Sequence, residues 1–120
     1  MRSIILISPN KNEISCLYQQ WKDKTENVFM DHEHLNMMLA GERIYILYLK
    51  DGANNYEEEE LSHVDISEPS FYLISYSDKG TMKEFIQQSV FSKGSYIDND
   101  LGRIMLSDEI KGEVILEFIQ

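Results

Sequence analysis

Apolar and polar positions along this chain alternate in some places and recur at helical spacing in others, which predicts a mixed set of strands and helices. Ile4, Ile5, Leu6 and Ile7 form an unbroken apolar run inside Ser3 to Ser8. A run of that length fits a strand covered on both faces. Past Pro9-Asn10-Lys11-Asn12, residues Ile14, Leu17, Tyr18 and Trp21 recur at helical spacing. They predict a helix from Asn10 or Asn12 to Lys24 with an asparagine cap. Asp31 to Ala40 reads as a second helix, capped by Asp31, with Leu35, Met38 and Leu39 on its apolar face and Gly41 as its stop. A strand starting within Val28 to Met30 is the competing reading.

Arg43 to Lys50 and Ser70 to Ser77 are rich in Tyr, Ile and Leu and read as strands. Asp78 then caps a helix running to Phe91, with Met82, Phe85, Ile86 and Val90 on one face and Gly94 at its end. Short strands follow at Tyr96-Ile97, Ile104 to Leu106 and Glu113 to Ile119, separated by turns at Asp98-Asn99-Asp100 and Lys111-Gly112. The predicted order is β-α-(α)-β-β-α-β-β-β. It implies one α+β domain over residues 1–120, with a mixed, mostly antiparallel sheet of about five to six strands and two to three helices packed on it. The expected core comprises Ile5, Ile7, Leu17, Trp21, Ile46, Tyr48, Leu73, Phe85, Ile86, Ile115 and Phe118.

Charge changes this picture more than composition does. Hydrophobic residues make up 42% of the chain, which is ordinary for a globular domain. The 21 Asp and Glu against 11 Lys and Arg give a net charge of -10. Seven of the acids lie between Asp51 and Glu68, where no Lys or Arg occurs; outside that stretch the balance is 14 to 11. The excess is thus one segment, a long loop at 51–69 that opens on an Asp51-Gly52 turn and holds the run Glu57-Glu58-Glu59-Glu60. An edge strand within Leu61 to Ile66 would fit there as well. Loops of this length inside a small domain tend to carry function.

Such a charge argues against nucleic acid or anionic lipid as ligand, because phosphates call for clustered Lys and Arg. Ile4 to Ile7 is too short for the apolar core of a secretory leader, and no stretch approaches the length of a membrane span. With one cysteine, Cys16, no internal disulfide can form, which suits a reducing compartment. A cytoplasmic protein is expected.

Catalytic and metal chemistry find little support in the residues. Asp31-His32-Glu33-His34 has two imidazoles at i and i+2, which share a face on a strand but point roughly 200° apart on a helix. No Cys or further His stands at a zinc-finger spacing. Asp98-Asn99-Asp100-Leu101-Gly102 looks like the start of a calcium loop, but the later oxygen ligands are out of register. A tight turn, with Asn and Asp bonding their own main chain, explains it better. Cys16 lies near the buried face of the first predicted helix, where a small core residue is expected. Glycine-rich nucleotide loops and a G-x-S-x-G elbow are missing from the sequence. No enzyme and no cofactor are expected; an enzyme using Asp98 and Asp100 with a metal ranks last among the readings.

The remaining candidate is a protein-binding surface. Tyr56 adjoins the glutamates Glu57, Glu58, Glu59 and Glu60, with Asp65 and Glu68 further along; Tyr96 adjoins Asp98 and Asp100. Aromatic rings beside acids suit a surface that docks basic groups, the rings supplying rigid contact area. The plainer reading is a solvated loop that keeps the protein soluble.

The segment Phe71-Tyr72-Leu73-Ile74-Ser75-Tyr76-Ser77-Asp78, the helix after it, and Gly94-Ser95-Tyr96-Ile97-Asp98-Asn99-Asp100-Leu101-Gly102-Arg103-Ile104 resemble the small bacterial immunity proteins that accompany contact-dependent and other polymorphic toxins. The resemblance covers the C-terminal part of the chain. It implies a cytoplasmic antitoxin that binds and blocks one cognate toxin domain, commonly a basic nuclease, and it carries over no binding residues. Physics runs parallel: a nuclease presents Lys and Arg to hold phosphates, so an acidic inhibitor is electrostatically matched to it. The alternative is an adaptor or regulatory subunit that docks a basic protein without a toxin.

Overall fold

The first strand lies inside the sheet. In the computed structural model, which describes residues 2–110 and 114–119, β1 (Arg2–Ser8) pairs with β5 (Ser70–Tyr76) on one side and β6 (Tyr96–Asp98) on the other. That placement explains the unbroken apolar run: Ile4 and Leu6 face one side of the sheet, Ile5 and Ile7 the other. With β2 (Phe29–Met30), β3 (His34–Leu39), β4 (Glu42–Leu49) and β7 (Ile104–Leu106), the sheet has seven strands in the order β2-β3-β4-β5-β1-β6-β7. All its pairings are antiparallel. The domain is α+β as expected, with a somewhat larger sheet.

Three helices, α1 (Glu13–Trp21), α2 (Lys79–Gln88) and α3 (Val114–Phe118), build the main core on one face. Trp21 of α1 stacks on Phe85 of α2, with ring centroids 5.5 Å apart, and its indole N–H donates to Ser89 Oγ at 2.9 Å. Asp78 caps α2 by accepting from the Thr81 backbone N–H at 2.8 Å, which satisfies one of the free donors of the first turn. Of the expected core, Ile5, Tyr48 and Leu73 are only partly buried; the rest are buried.

Two elements change type. Asp31 to Ala40 is a turn followed by β3, with β2 beginning at Phe29, so the competing strand reading is the correct one. The decisive period is two: Leu35, Met37 and Leu39 point into the core and meet Ile46 and Ile44 of β4. Ala40 and Gly41, both at positive φ (52° and 79°), make the tight hairpin turn that matches strand twist. Conversely, Val114–Phe118 is helical where a strand from Glu113 was expected, because Ile115, Phe118 and Ile119 are buried at helical spacing; Glu113 and the Lys111-Gly112 turn lie outside the described residues.

Smaller corrections follow the same logic. Helix α2 stops at Gln88, so Val90 is exposed, and the Gln20 side chain bonds both its N–H and its C=O. The caps and ends differ too: the Asn12 side chain makes no cap bond, and Gly94 (φ 85°) turns the chain into β6 rather than ending α2. Cys16 is exposed, one step off the buried positions Glu13, Ile14, Leu17 and Trp21. Glu13 is a buried carboxylate that sequence reading passed over; it accepts from Ser8 Oγ, Ser92 N and Ser92 Oγ at 3.0 Å. Those bonds are what make its burial tolerable.

Candidate functional site

The acidic segment covers part of the second sheet face, over Ile7, Phe71 and Tyr96. Its start needs glycine: a Cβ on Gly52 would lie 2.4 Å from Phe71 Cβ, so the chain after Asp51 can run directly against β5. A single 3₁₀ turn, Gly52–Asn55, leads to Tyr56. From there Tyr56, Leu61, Val64 and Ile66 pack against a second hydrophobic cluster of Ile7, Phe71 and Tyr96. Residues 61–66 form turns and loop in place of the edge strand. The polar positions point outward: Glu57, Glu58, Glu59, Glu60, Asp65 and Glu68 are all exposed. The segment is therefore amphipathic, tacked down by apolar side chains and outwardly negative.

Tyr56 and Tyr96 serve the fold. The Tyr56 ring stacks on Phe71 at 5.4 Å, and its hydroxyl donates to Asp98 Oδ2 at 2.6 Å. Burial, and then the bond to Asp98, push its phenol far above the ordinary tyrosine value. Tyr96 is buried; its hydroxyl accepts from the Asp65 backbone N–H at 3.3 Å, and its ring meets the edge of His63. Rings expected as free anchors are thus committed internally, Tyr56 as an apolar foot of the loop and Tyr96 as part of the sheet surface on which the loop stands.

Asp98 and Asp100 join the same surface. The β6–β7 hairpin is a rigid turn built as Asn and Asp turns are: Asp98 Oδ1 accepts from Asp100 N at 2.8 Å, and Asn99 Oδ1 accepts from Leu101 N and Arg103 N. Asp100 and Gly102 take positive φ, 62° and 95°. Asn99 Nδ2 donates to the Phe118 carbonyl, tying the hairpin to α3. Asp98 is buried and Asp100 exposed. Between this hairpin and the acidic segment lies a cleft of about 390 Å³ lined by Glu59, Glu60, His63, Asp98, Asp100, Gly102 and Ile104. His63 Nε2 lies 3.2 Å from the Ile104 carbonyl and links the two walls.

Two acidic features 38 to 41 positions apart in sequence (Glu59 or Glu60 against Asp98 or Asp100) therefore form one surface. Sequence reading had both features and missed Ile104, placed by the β6–β7 pairing, and His63, placed by its contacts with Tyr96 and the Ile104 carbonyl. Glu68 does not line the cleft. Within the quartet, Glu60 Oε1 accepts from the Glu57 backbone N–H at 2.7 Å, so one glutamate also shapes the turn. The histidine pair is drawn apart: His34 begins β3 with Nδ1 3.0 Å from Asp31 Oδ1, while His32 is exposed in the turn before it. Among the described residues no group of three or more His, Cys, Asp or Glu side chains could hold a metal ion, and no helix is long and apolar enough to cross a membrane.

No family model, curated protein or solved structure matches the chain.

Proposed function

We propose that this protein is an immunity protein, an antitoxin that binds and neutralises a cognate basic toxin domain, most naturally a nuclease, in the cytoplasm. One observation supports the reading above others: the two acidic features meet at a single cleft, and each is held in place before any partner arrives. Acids fixed in advance attract a basic partner without paying again for loop ordering. The field of clustered carboxylates speeds encounter and favours partners of opposite charge. A phosphate-binding surface of Lys and Arg is such a partner, and covering it would block substrate. The resemblance of residues 71–78 and 94–104 to immunity proteins points the same way.

The test is coexpression. Cells producing the toxin domain encoded beside this gene should stop growing, and growth should return when this protein is made with it. Purified proteins should then associate with a rate that falls steeply as salt is raised. Equal growth arrest with and without the protein removes the antitoxin reading. Salt-sensitive binding to a basic neighbour that is not toxic would instead favour the adaptor reading.

A further inference from the structure

Among the described residues, no segment covers one half of the second sheet face. Cross-strand register sets its side chains in rows. Phe29 of β2 stands opposite Asn36, Asn36 opposite Tyr45, and Tyr45 opposite Ser75. In the next row Leu47 stands beside Leu73 and Leu73 beside Ile5, and Ile5 already passes beneath the acidic segment. Tyr45, Leu47 and Leu73 are partly exposed and belong to neither hydrophobic cluster, while Phe29 is 62% exposed. An antiparallel sheet with one wet face ordinarily carries polar side chains there. Here Tyr45 and Leu47 of β4 and Leu73 of β5 stand on it, with Ser75 and Arg43 at its border, and apolar patches bordered by polar residues mark interaction sites.

Charge selects the occupant. The acidic segment borders the patch on the Ile5 side. At the other end of the Leu47 row, His34 is paired with Asp31, next to exposed Glu33. Among the described strand residues of this face, Arg43 is the one Lys or Arg. A second copy of this chain would bring its own net charge of -10 against the same acids, which opposes self-association.

We infer that this half-face is the apolar centre of the interface with a basic protein partner, and that the acidic segment is its charged rim. The partner presents a Leu-like or aromatic side chain flanked by Lys or Arg. That division matches how interfaces are built, with a few buried apolar anchors supplying affinity and rim charges supplying rate. The inference rests on the reading above that the partner is basic.

Two short synthetic peptides of equal positive charge test it, one of Lys and Gly alone, the other with a central Leu-Trp-Leu. The second should bind roughly tenfold tighter, as burial of one or two such side chains implies, and should shift the amide resonances of Tyr45, Leu47 and Leu73. Leu47→Ser should abolish that preference while leaving the Lys-Gly peptide's affinity unchanged. Phe29→Ser, at an exposed position of the edge strand β2, should reduce it in part. Equal binding of the two peptides, or shifts confined to residues 57–68, would overturn the inference. So would a dimer in light scattering that Phe29→Ser or Leu47→Ser dissociates, since the occupant would then be a second copy. Growth protection is scored separately: its loss with peptide preference intact removes the toxin but keeps the docking face, and the converse removes only the docking face.

Discussion

The hydroxyl of Tyr56 and the carboxylate of Asp98 meet at 2.6 Å across 42 positions of sequence, and this contact binds the acidic segment to the β6–β7 hairpin. Tyr56→Phe keeps the stacking on Phe71 and removes only the donor. Urea unfolding should show a loss of about 1.5–3 kcal/mol, the range for a hydrogen bond to a charged group. Amide exchange across residues 57–66 should quicken with it. Unchanged exchange there would mean that apolar packing alone holds the segment.

Gly52→Ala probes the other end of that segment. The added methyl would sit 2.4 Å from Phe71 Cβ, and crowding of that kind typically costs about 1–3 kcal/mol. The loss should appear in thermal unfolding together with new solvent exposure of Tyr56 by fluorescence. A variant as stable as the parent would show that the chain can lift off β5 freely.

Replacing Glu57, Glu58, Glu59 and Glu60 by Gln removes charge at exposed positions and retains an oxygen at residue 60 to accept from the Glu57 N–H. Stability should change little, since exposed charges contribute little to it. Association with a basic partner at low salt should slow by roughly tenfold, with a flatter salt dependence and a nearly constant dissociation rate. Identical association rates would reduce the quartet to a solubilising surface.

Phe85 is fully buried against Trp21 and Phe91. Phe85→Ala should lower unfolding free energy by about 3–5 kcal/mol in chemical denaturation. A loss below about 1 kcal/mol would contradict the packing of α2 on α1.

Stability should fall at both ends of the pH scale, for different residues. The Asp78 carboxyl is held below its ordinary 3.8 by the Thr81 backbone N–H and then the Thr81 hydroxyl. Its contribution is therefore present above about pH 4 and lost as pH falls through the lowered value. In Asp78→Ala the deficit relative to the parent should be visible at neutral pH and shrink under acid. The Tyr72 phenol is pushed up to about 12, chiefly by burial. Its contribution is complete below about pH 10 and lost as pH rises towards 12, and Tyr72→Phe should make that alkaline limb shallower in a pH series of urea titrations, with Tyr56 supplying the rest of it.

What could be read from the sequence depended on whether a segment's partner was near or far. The apolar run of β1 and the alternating β4 and β5 declared themselves, as did α1 and α2, because each carries its own period. Leu35, Met37, Met38 and Leu39 satisfy both a helical and a strand pattern, and only the pairing with Ile44 and Ile46 resolves them. Val114 to Ile119 failed for the opposite reason, since six apolar or mixed residues have too little length to fix a period. The acids of the site were plain in composition. Their union was not, because it depends on Tyr56 finding Asp98 and on Leu61, Val64 and Ile66 finding the sheet. A hint was present: apolar residues spaced through an acidic loop are more than a solubilising segment requires.

Placing β1 between β5 and β6 also sets the order in which the chain can fold. The strand leaves the ribosome before its partners, which run from Phe71 opposite Ile7 to Tyr96 opposite the same residue. Until those residues are made, Ile4 to Ile7 waits as an unpaired apolar run. The β3–β4 hairpin, closed by Ala40 and Gly41, needs no distant residue and can form early. Vectorial synthesis therefore leaves this apolar run unprotected until β5 and β6 are made. Deleting β1 would leave no smaller domain behind, but two separated sheets, β2 to β5 and β6 with β7.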